Sequence, residues 1–184
     1  MFRIYKFILI LSMLVMPVFA VNAEESSSHN DKSQKIIIHF HTMFGVDKPF
    51  LSSNPSQSSD PTVRGVLGDY QSWKINRSVN GILFADGRLI INIKGLIFGD
   101  GSPNDEDHFR ALVSCQLTPD VPGGEAATFS NFITAPFPVH NPIGKGNAKI
   151  DAKIPLPSPC VAPVVMILNG NPADGNVWFA ITGN

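Results

Sequence analysis

The chain has 184 residues, of which 43% are hydrophobic and 16% charged, and a formal net charge of −1. This length suits one principal domain. Lys and Arg are scattered singly and nearly balanced by Asp and Glu, so there is no basic surface of the kind that binds phosphate backbones or anionic lipid. The composition therefore argues against nucleic-acid binding.

The N-terminus has the order of a secretory signal peptide. Arg3 and Lys6 precede an apolar run over residues 7–15, and the small residues Val21 and Ala23 follow it. The run is shorter than the roughly 20 residues that span a bilayer. We therefore predict cleavage after Ala23, with a retained N-terminal anchor as the alternative.

Three regions follow from that cleavage. Residues 1–23 are the predicted signal peptide, residues 24–34 a polar, Ser-rich leader expected to be disordered, and residues 35–184 a single domain. No segment after the signal is long and apolar enough to predict a transmembrane span. We expect an extracytoplasmic protein, either periplasmic or secreted.

From residue 35 onward, turn residues recur about every eight to twelve positions between short segments, and this spacing is typical of a sandwich or barrel. No long run has the 3.6-residue period of a helix. We predict an all-β fold, an antiparallel β-sandwich, with a β-barrel as the alternative. The predicted strands are residues 36–43, 63–67, 71–75, a hairpin over 78–97, and 108–117, 127–134, 145–156, 164–168 and 177–182.

The hairpin at residues 78–97 permits two registers. A two-residue turn would pair Asn80 with Ile93 on the buried side. A three-residue loop, with Gly87 in the left-handed position of a bulge, pairs Val79 with Ile93 instead. We prefer the second register because it buries no unpaired amide.

Two cysteines remain after signal cleavage, Cys115 and Cys160. Alternation in the segment from His108 points Cys115 inward, whereas Cys160 lies in a proline-rich segment that suits an edge or a connection. In an oxidising compartment we expect one disulfide between them, with two free thiols as the alternative.

The common nucleophile signatures are absent from the sequence. It has no Gly-x-Ser-x-Gly, no Ser-x-x-Lys and no Walker-type glycine loop. The glutamates all lie in the leader or in loop-like segments: Glu24, Glu25, Glu106 and Glu125. Aspartates such as Asp69 and Asp151 could still act, but nothing in their sequence context indicates a raised pKa. We expect neither a catalytic centre nor a cofactor.

One pattern could begin a metal site. Alternation on a strand places His39 and His41 on one face, about 7 Å apart along the backbone. Two imidazoles can start a zinc or copper site. A third ligand could come from Asp47, His108 or His140, although none has a diagnostic spacing. The alternative is that both histidines simply face water.

Oxygen ligands are concentrated over residues 100–107, where Asp100, Asp105 and Asp107 could hold calcium. The order of an EF-hand loop is missing, so a solvated acidic turn is the alternative. Trp73 and Trp178 could stack on carbohydrate, but both lie in alternating segments and a core role is favoured.

Several segments together look like a group of small exported bacterial proteins of unknown function. They cover most of the chain from residue 63 onward: Arg64-Gly65 near Trp73, residues 85–89, 109–115, 134–138 and 158–163, and Trp178-Phe179-Ala180-Ile181-Thr182-Gly183. The resemblance implies a bacterial exported context and carries no activity.

Function is therefore ranked by elimination. We expect a non-enzymatic exported binding or interaction module, whose partner is an extracytoplasmic protein or a glycan. The first alternative is a metal-binding protein or metal-dependent enzyme that uses His39 and His41. The second is a structural subunit that assembles through the hairpin strand with Ile82 and Phe84, because that strand is apolar on both faces.

Overall fold

The computed structural model describes residues 35–117, 127–140 and 144–183. The predicted signal peptide and polar leader lie outside this part of the chain. Within it the strands are β1 (Ile36–Phe40), β2 (Phe44–Gly45), β3 (Thr62–Val63), β4 (Val66–Gly68), β5 (Trp73–Phe84), β6 (Arg88–Phe98), β7 (His108–Gln116), β8 (Phe129–Ile133), β9 (Phe137–Pro138), β10 (Ala148–Lys153), β11 (Val161–Asn169) and β12 (Val177–Ile181). A single 3₁₀ turn, Pro172–Asp174, separates the last two strands.

The strands form two packed sheets. The first has the order β1-β5-β6-β10, and the second has the order β3-β4-β12-β11-β7-β8, with β2 beside β12 and β9 beside β7. Every pair is antiparallel except β4 with β12, which is parallel. The predicted all-β sandwich is confirmed, and the barrel alternative is wrong because neither sheet closes on itself.

The core lies between the sheets and includes side chains of β6 and β7. Leu89 and Ile91 on β6 and Phe109 and Ala111 on β7 belong to this core, and all four are fully buried. Burial of a large aliphatic or aromatic side chain contributes about 1.5–3 kcal/mol. On β6 the alternation that predicted the strand also identifies core residues, whereas β7 is buried on both faces from Phe109 to Cys115.

The hairpin adopts the preferred register. Val79 pairs with Ile93, Asn80 with Asn92 and Leu83 with Leu89. Gly87 has a φ of 88°, as a three-residue loop with a left-handed third position requires. The first strand is longer than predicted, because a bulge between Ile75 and Ser78 joins the predicted strand 71–75 to the hairpin.

The disulfide is also confirmed. Cys115 on β7 and Cys160, directly before β11, are bonded with their Cα atoms 5.1 Å apart. Pro163 lies within β11 at the register shift between Val161 and Val164. A bulge is one of the few places where a sheet tolerates a residue without a backbone N–H, so the proline does not stop the strand.

Two predicted strands differ from the structure. The predicted strand 36–43 is shorter, because β1 ends at Phe40, and β2, which follows the predicted strand, joins the other sheet. Residues 63–67 belong to the β3–β4 hairpin, whose turn residues Arg64 and Gly65 have φ values of 52° and 77°. Positive φ at both central residues is the geometry of a two-residue hairpin turn.

Candidate ligand-binding cleft

A cleft of about 510 Å³ opens where the two sheets end together. Trp73 begins β5 and pairs with Phe98, which ends β6. On the other sheet, Asn169 ends β11 and Val177 begins β12. Polar residues of segment 52–56 form one lip. Both sheets and several loops thus contribute to one concave surface.

Asp69 lies at the base of this cleft and is 7% exposed. Its Oδ2 accepts a hydrogen bond from Trp73 Nε1 at 2.6 Å, and its Oδ1 accepts one from the backbone N–H of Tyr70 at 2.7 Å. Burial nevertheless raises the pKa of Asp69 above its ordinary value, because desolvation outweighs these hydrogen bonds. The carboxyl group is both structurally anchored and biased towards its neutral form.

Glu106 is the second carboxyl group of the cleft and is half-buried. The buried side chain of Asn104 positions it, since Asn104 Oδ1 accepts the backbone N–H of Glu106 at 3.0 Å. Burial raises the pKa of Glu106, and the negative charges of Asp105 and Asp69 raise it further. The side chain receives one long hydrogen bond, 3.4 Å from Gly170 N to Oε2.

Aromatic rings form the apolar part of the lining. Trp73 stacks on Phe179 with ring centroids 4.0 Å apart and lies 4.7 Å from the ring of Phe98. Trp73 and Phe179 are almost fully buried, whereas Tyr70 is 49% exposed. The cleft therefore has a rigid aromatic base and one accessible ring at its side.

Arg110 holds the opposite wall in place. Its guanidinium donates to Asn169 O at 2.8 Å, to Asn169 Oδ1 at 3.1 Å and to Gly175 O at 3.2 Å. The 3₁₀ turn between these two residues is capped by Asn171, whose Oδ1 accepts the N–H of Ala173 at 3.0 Å. This network fixes the loop that carries Asp174 to the cleft.

This site was not predicted from the sequence. The sequence context of Asp69 gives no sign of a raised pKa, and the rise comes from burial in the fold. Asp151, named beside it, lies exposed on β10 next to Lys149. The spacing of Asp69 four residues before Trp73 was the available signal, since an indole N–H is a natural partner for a buried carboxylate.

His39 and His41 lie at the end of β1, both exposed, with ring centroids 4.3 Å apart. The Nδ1 of His41 is 2.8 Å from Nδ2 of Asn80. No described contact joins Asp47, His108 or His140 to this pair. Asp47 Oδ1 accepts the N–H of Lys48, and His108 pairs with Asp107 at 2.9 Å.

The three aspartates considered for calcium border three different cavities. Asp105 lines the cleft, Asp107 lies beside His108 at a second cavity, and Asp100 accepts both the N–H and the Oγ–H of Ser102 at a third. In residues 35–117, 127–140 and 144–183, no group of three or more His, Cys, Asp or Glu side chains could hold a metal ion.

The core assignment of the tryptophans is confirmed, since Trp73 and Trp178 are 4% and 2% exposed. No helix in the described part of the chain is long and apolar enough to cross a membrane. No protein-family model, curated protein or solved structure matches the chain. The geometry of the cleft is therefore the principal basis for a functional proposal.

Proposed function

We propose that this protein is an exported, non-enzymatic binding module and that the cleft at the end of the sandwich is its ligand site. The observation that carries the proposal is the meeting of two carboxyl groups with raised pKa, Asp69 and Glu106, with an aromatic base in a cleft of about 510 Å³. Concave surfaces of this size that combine apolar walls with a few convergent polar groups are typical of small-molecule sites.

Features of the chain outside the cleft support binding in preference to covalent chemistry. Both cysteines are joined in the disulfide, so neither offers a thiolate nucleophile. The disulfide also suits the extracytoplasmic location that the predicted signal peptide implies. Sequencing the N-terminus of the exported protein should find Glu24, and retention of Met1 would contradict this part of the proposal.

The two tryptophans allow a direct test of the cleft. Trp73 Nε1–H bonds to Asp69 at the base of the cleft, whereas Trp178 Nε1 has no hydrogen-bond partner and its residue does not line the cleft. A ¹⁵N-labelled sample gives one indole N–H signal for each ring. Titration with a panel of neutral saccharides, organic anions and amines should include one class that shifts the Trp73 signal and leaves Trp178 in place.

Two outcomes would contradict the proposal. If no class shifts Trp73, or if both indole signals always move together, the cleft is not a selective site. If a panel member is converted to product, and the turnover is lost in Asp69→Asn and Glu106→Gln variants, the two carboxyl groups act as acid and base and the protein is an enzyme.

A second candidate function is metal binding at His39 and His41, and the observation that favours it is the 4.3 Å separation of their rings. Zinc and copper accept imidazole ligands of this kind. Dialysed protein would then retain stoichiometric metal that is lost in a His39→Ala, His41→Ala double variant. Retention of the same metal by the double variant, or no retained metal in the native protein, would remove this candidate.

A further inference from the structure

The charge of the cleft is one-sided. Its lining includes four carboxyl groups and, among the described residues, no Lys, Arg or His side chain. Asp105 and Asp174 are exposed at the rim, while Asp69 and Glu106 lie deeper. None of the four takes part in an ion pair in the described part of the chain, where the three pairs use other aspartates.

The buried cation beside the cleft offsets this charge only in part. Arg110 is 4% exposed, and its described hydrogen bonds all go to neutral oxygens of Asn169 and Gly175. Its charge interacts with Glu106 without direct ion-pair contact. The negative field of the cleft is therefore left for a ligand to neutralise.

The arrangement of the carboxyl groups favours an extended cation over a metal ion. They come from three places in the chain, namely the residue after β4, the loop before β7 and the 3₁₀ turn. Calcium and magnesium need oxygens that converge at about 2.0–2.6 Å, and no described group of three such side chains can do so. Charges separated across a cleft instead match a ligand with several positive groups.

The aromatic lining adds a second requirement. The ring of Tyr70 is 49% exposed, and the half-buried Phe98 lies beside the stacked Trp73. Aromatic rings attract ammonium groups through their faces and pack against methylene chains. A ligand that satisfies both the carboxyl groups and the rings has ammonium groups joined by aliphatic segments.

We infer that the cleft binds a small aliphatic polyamine, with ammonium groups at the rim and base carboxylates and methylene groups against the aromatic rings. This inference rests on the proposed function and names its ligand class. A neutral glycan would leave the rim carboxylates of Asp105 and Asp174 without a counter-charge, and an organic anion would be repelled by them.

Isothermal titration calorimetry on the mature protein tests this inference. Spermidine and 1,4-diaminobutane are titrated at low ionic strength, with 1,4-butanediol and calcium chloride as comparisons. We expect saturable binding of the amines, tighter for spermidine, no binding of the diol, and marked weakening in about 0.5 M NaCl, where charges are screened over a few ångströms.

Two matched variants separate specific binding from general attraction. Asp105→Asn removes one rim carboxylate and should weaken spermidine binding about tenfold, as loss of one charge-assisted hydrogen bond does. Asp151→Asn makes the same charge change on β10, outside the cleft, and should leave the affinity unchanged. Both residues are exposed, so neither change should affect folding.

Several results would overturn the polyamine inference. One is the absence of saturable amine binding, and another is an equal loss of affinity in the Asp105→Asn and Asp151→Asn variants. Calcium binding without amine binding would also overturn it. If the amines fail while a neutral ligand still shifts the Trp73 indole signal, the ligand class is wrong and the cleft remains the binding site.

Discussion

Replacing Gly87 with alanine tests how the β5–β6 hairpin holds the neighbouring edge strand. Gly87 has a φ of +88°, and a Cβ atom built on it would lie 1.9 Å from the carbonyl oxygen of Ile154. The same two residues are joined by a backbone hydrogen bond, 3.0 Å from Ile154 N to Gly87 O. The added methyl group would therefore overlap the carbonyl group of Ile154 and disturb the hydrogen bond that holds this residue at the end of β10.

The expected loss of stability has three sources. A positive φ for alanine costs about 1 kcal/mol. Ordinary contact begins near 3.4 Å, so the Ile154 carbonyl must retreat by roughly 1.5 Å, which breaks a hydrogen bond worth about 1 kcal/mol. Ile154 is 4% exposed, and partial loss of its packing adds about 1 kcal/mol more. We expect Gly87→Ala to lower the free energy of unfolding by about 3 kcal/mol.

Gly65→Ala is the matched control. Gly65 also has a positive φ, +77°, but no atom lies within 4 Å of a Cβ at that position. Only the backbone strain remains, so we expect a loss of about 1 kcal/mol. Urea unfolding of both variants with the disulfide intact, followed by tryptophan fluorescence, measures the difference. Equal losses in the two variants would refute the argument that the Ile154 contact determines the effect.

Two further predictions concern the disulfide and the cleft. The Cys115–Cys160 bond spans a sequence separation of 45 residues. Replacing both cysteines with serine should lower the free energy of unfolding by up to about 4 kcal/mol. Unchanged stability would show that the bond constrains the unfolded chain little. Because the pKa of Glu106 is raised in the fold, its stabilising contribution is present at low pH and is lost as pH rises through the folded pKa. The stability advantage of the native protein over Glu106→Gln should therefore shrink as the pH rises above the ordinary glutamate pKa of about 4.3, and a constant difference would contradict the burial argument.

The strands were predictable where one face is buried and the other is wet. On β10, Ala148 and Ile150 face the core while Lys149 and Asp151 are exposed, and this alternation appears directly in the sequence. The hairpin register was predictable for the same reason, because a shift of one residue would have buried Asn80. These cases depend on local sequence and on one physical rule.

Prediction failed where partners come from distant parts of the chain. Nothing near Gly68 indicates that β4 pairs in parallel with β12, more than a hundred residues away. The end of β1 at Phe40 and the crossing of the chain to the other sheet likewise depend on Phe44 and Gly45 pairing with β12. Such pairings are selected by the packing of the whole sandwich, so local periodicity cannot predict them.

The cleft was missed because its carboxyl groups lie outside the strands, where no periodic pattern fixes their positions. Glu106 was noted only as a glutamate in a loop-like segment. Its burial depends on Asn104, which bonds Leu96 O at 2.5 Å through Nδ2 and accepts the N–H of Glu106 through Oδ1. A sequence shows that Asn104 precedes Glu106 by two residues, but not that β6 supplies the carbonyl group that holds the loop.

The two deeper carboxyl groups of the cleft differ in what the fold requires of them. Asp69 accepts hydrogen bonds from Trp73 and Tyr70, so a structural role is enough to explain why a carboxylate lies there. Asp69→Asn should destabilise the protein, because the new amide would present an N–H group to one of these donors. In the described part of the chain, the Glu106 side chain receives one hydrogen bond, of 3.4 Å, and burial together with neighbouring negative charges raises its pKa. Its carboxylate is unfavourable for the folded protein at neutral pH, so Glu106→Gln should be neutral or stabilising at pH 7.5 while weakening ligand binding. Thermal unfolding and amine titration of the same variant measure both effects, and a destabilised Glu106→Gln variant with native affinity would assign this residue a structural role instead.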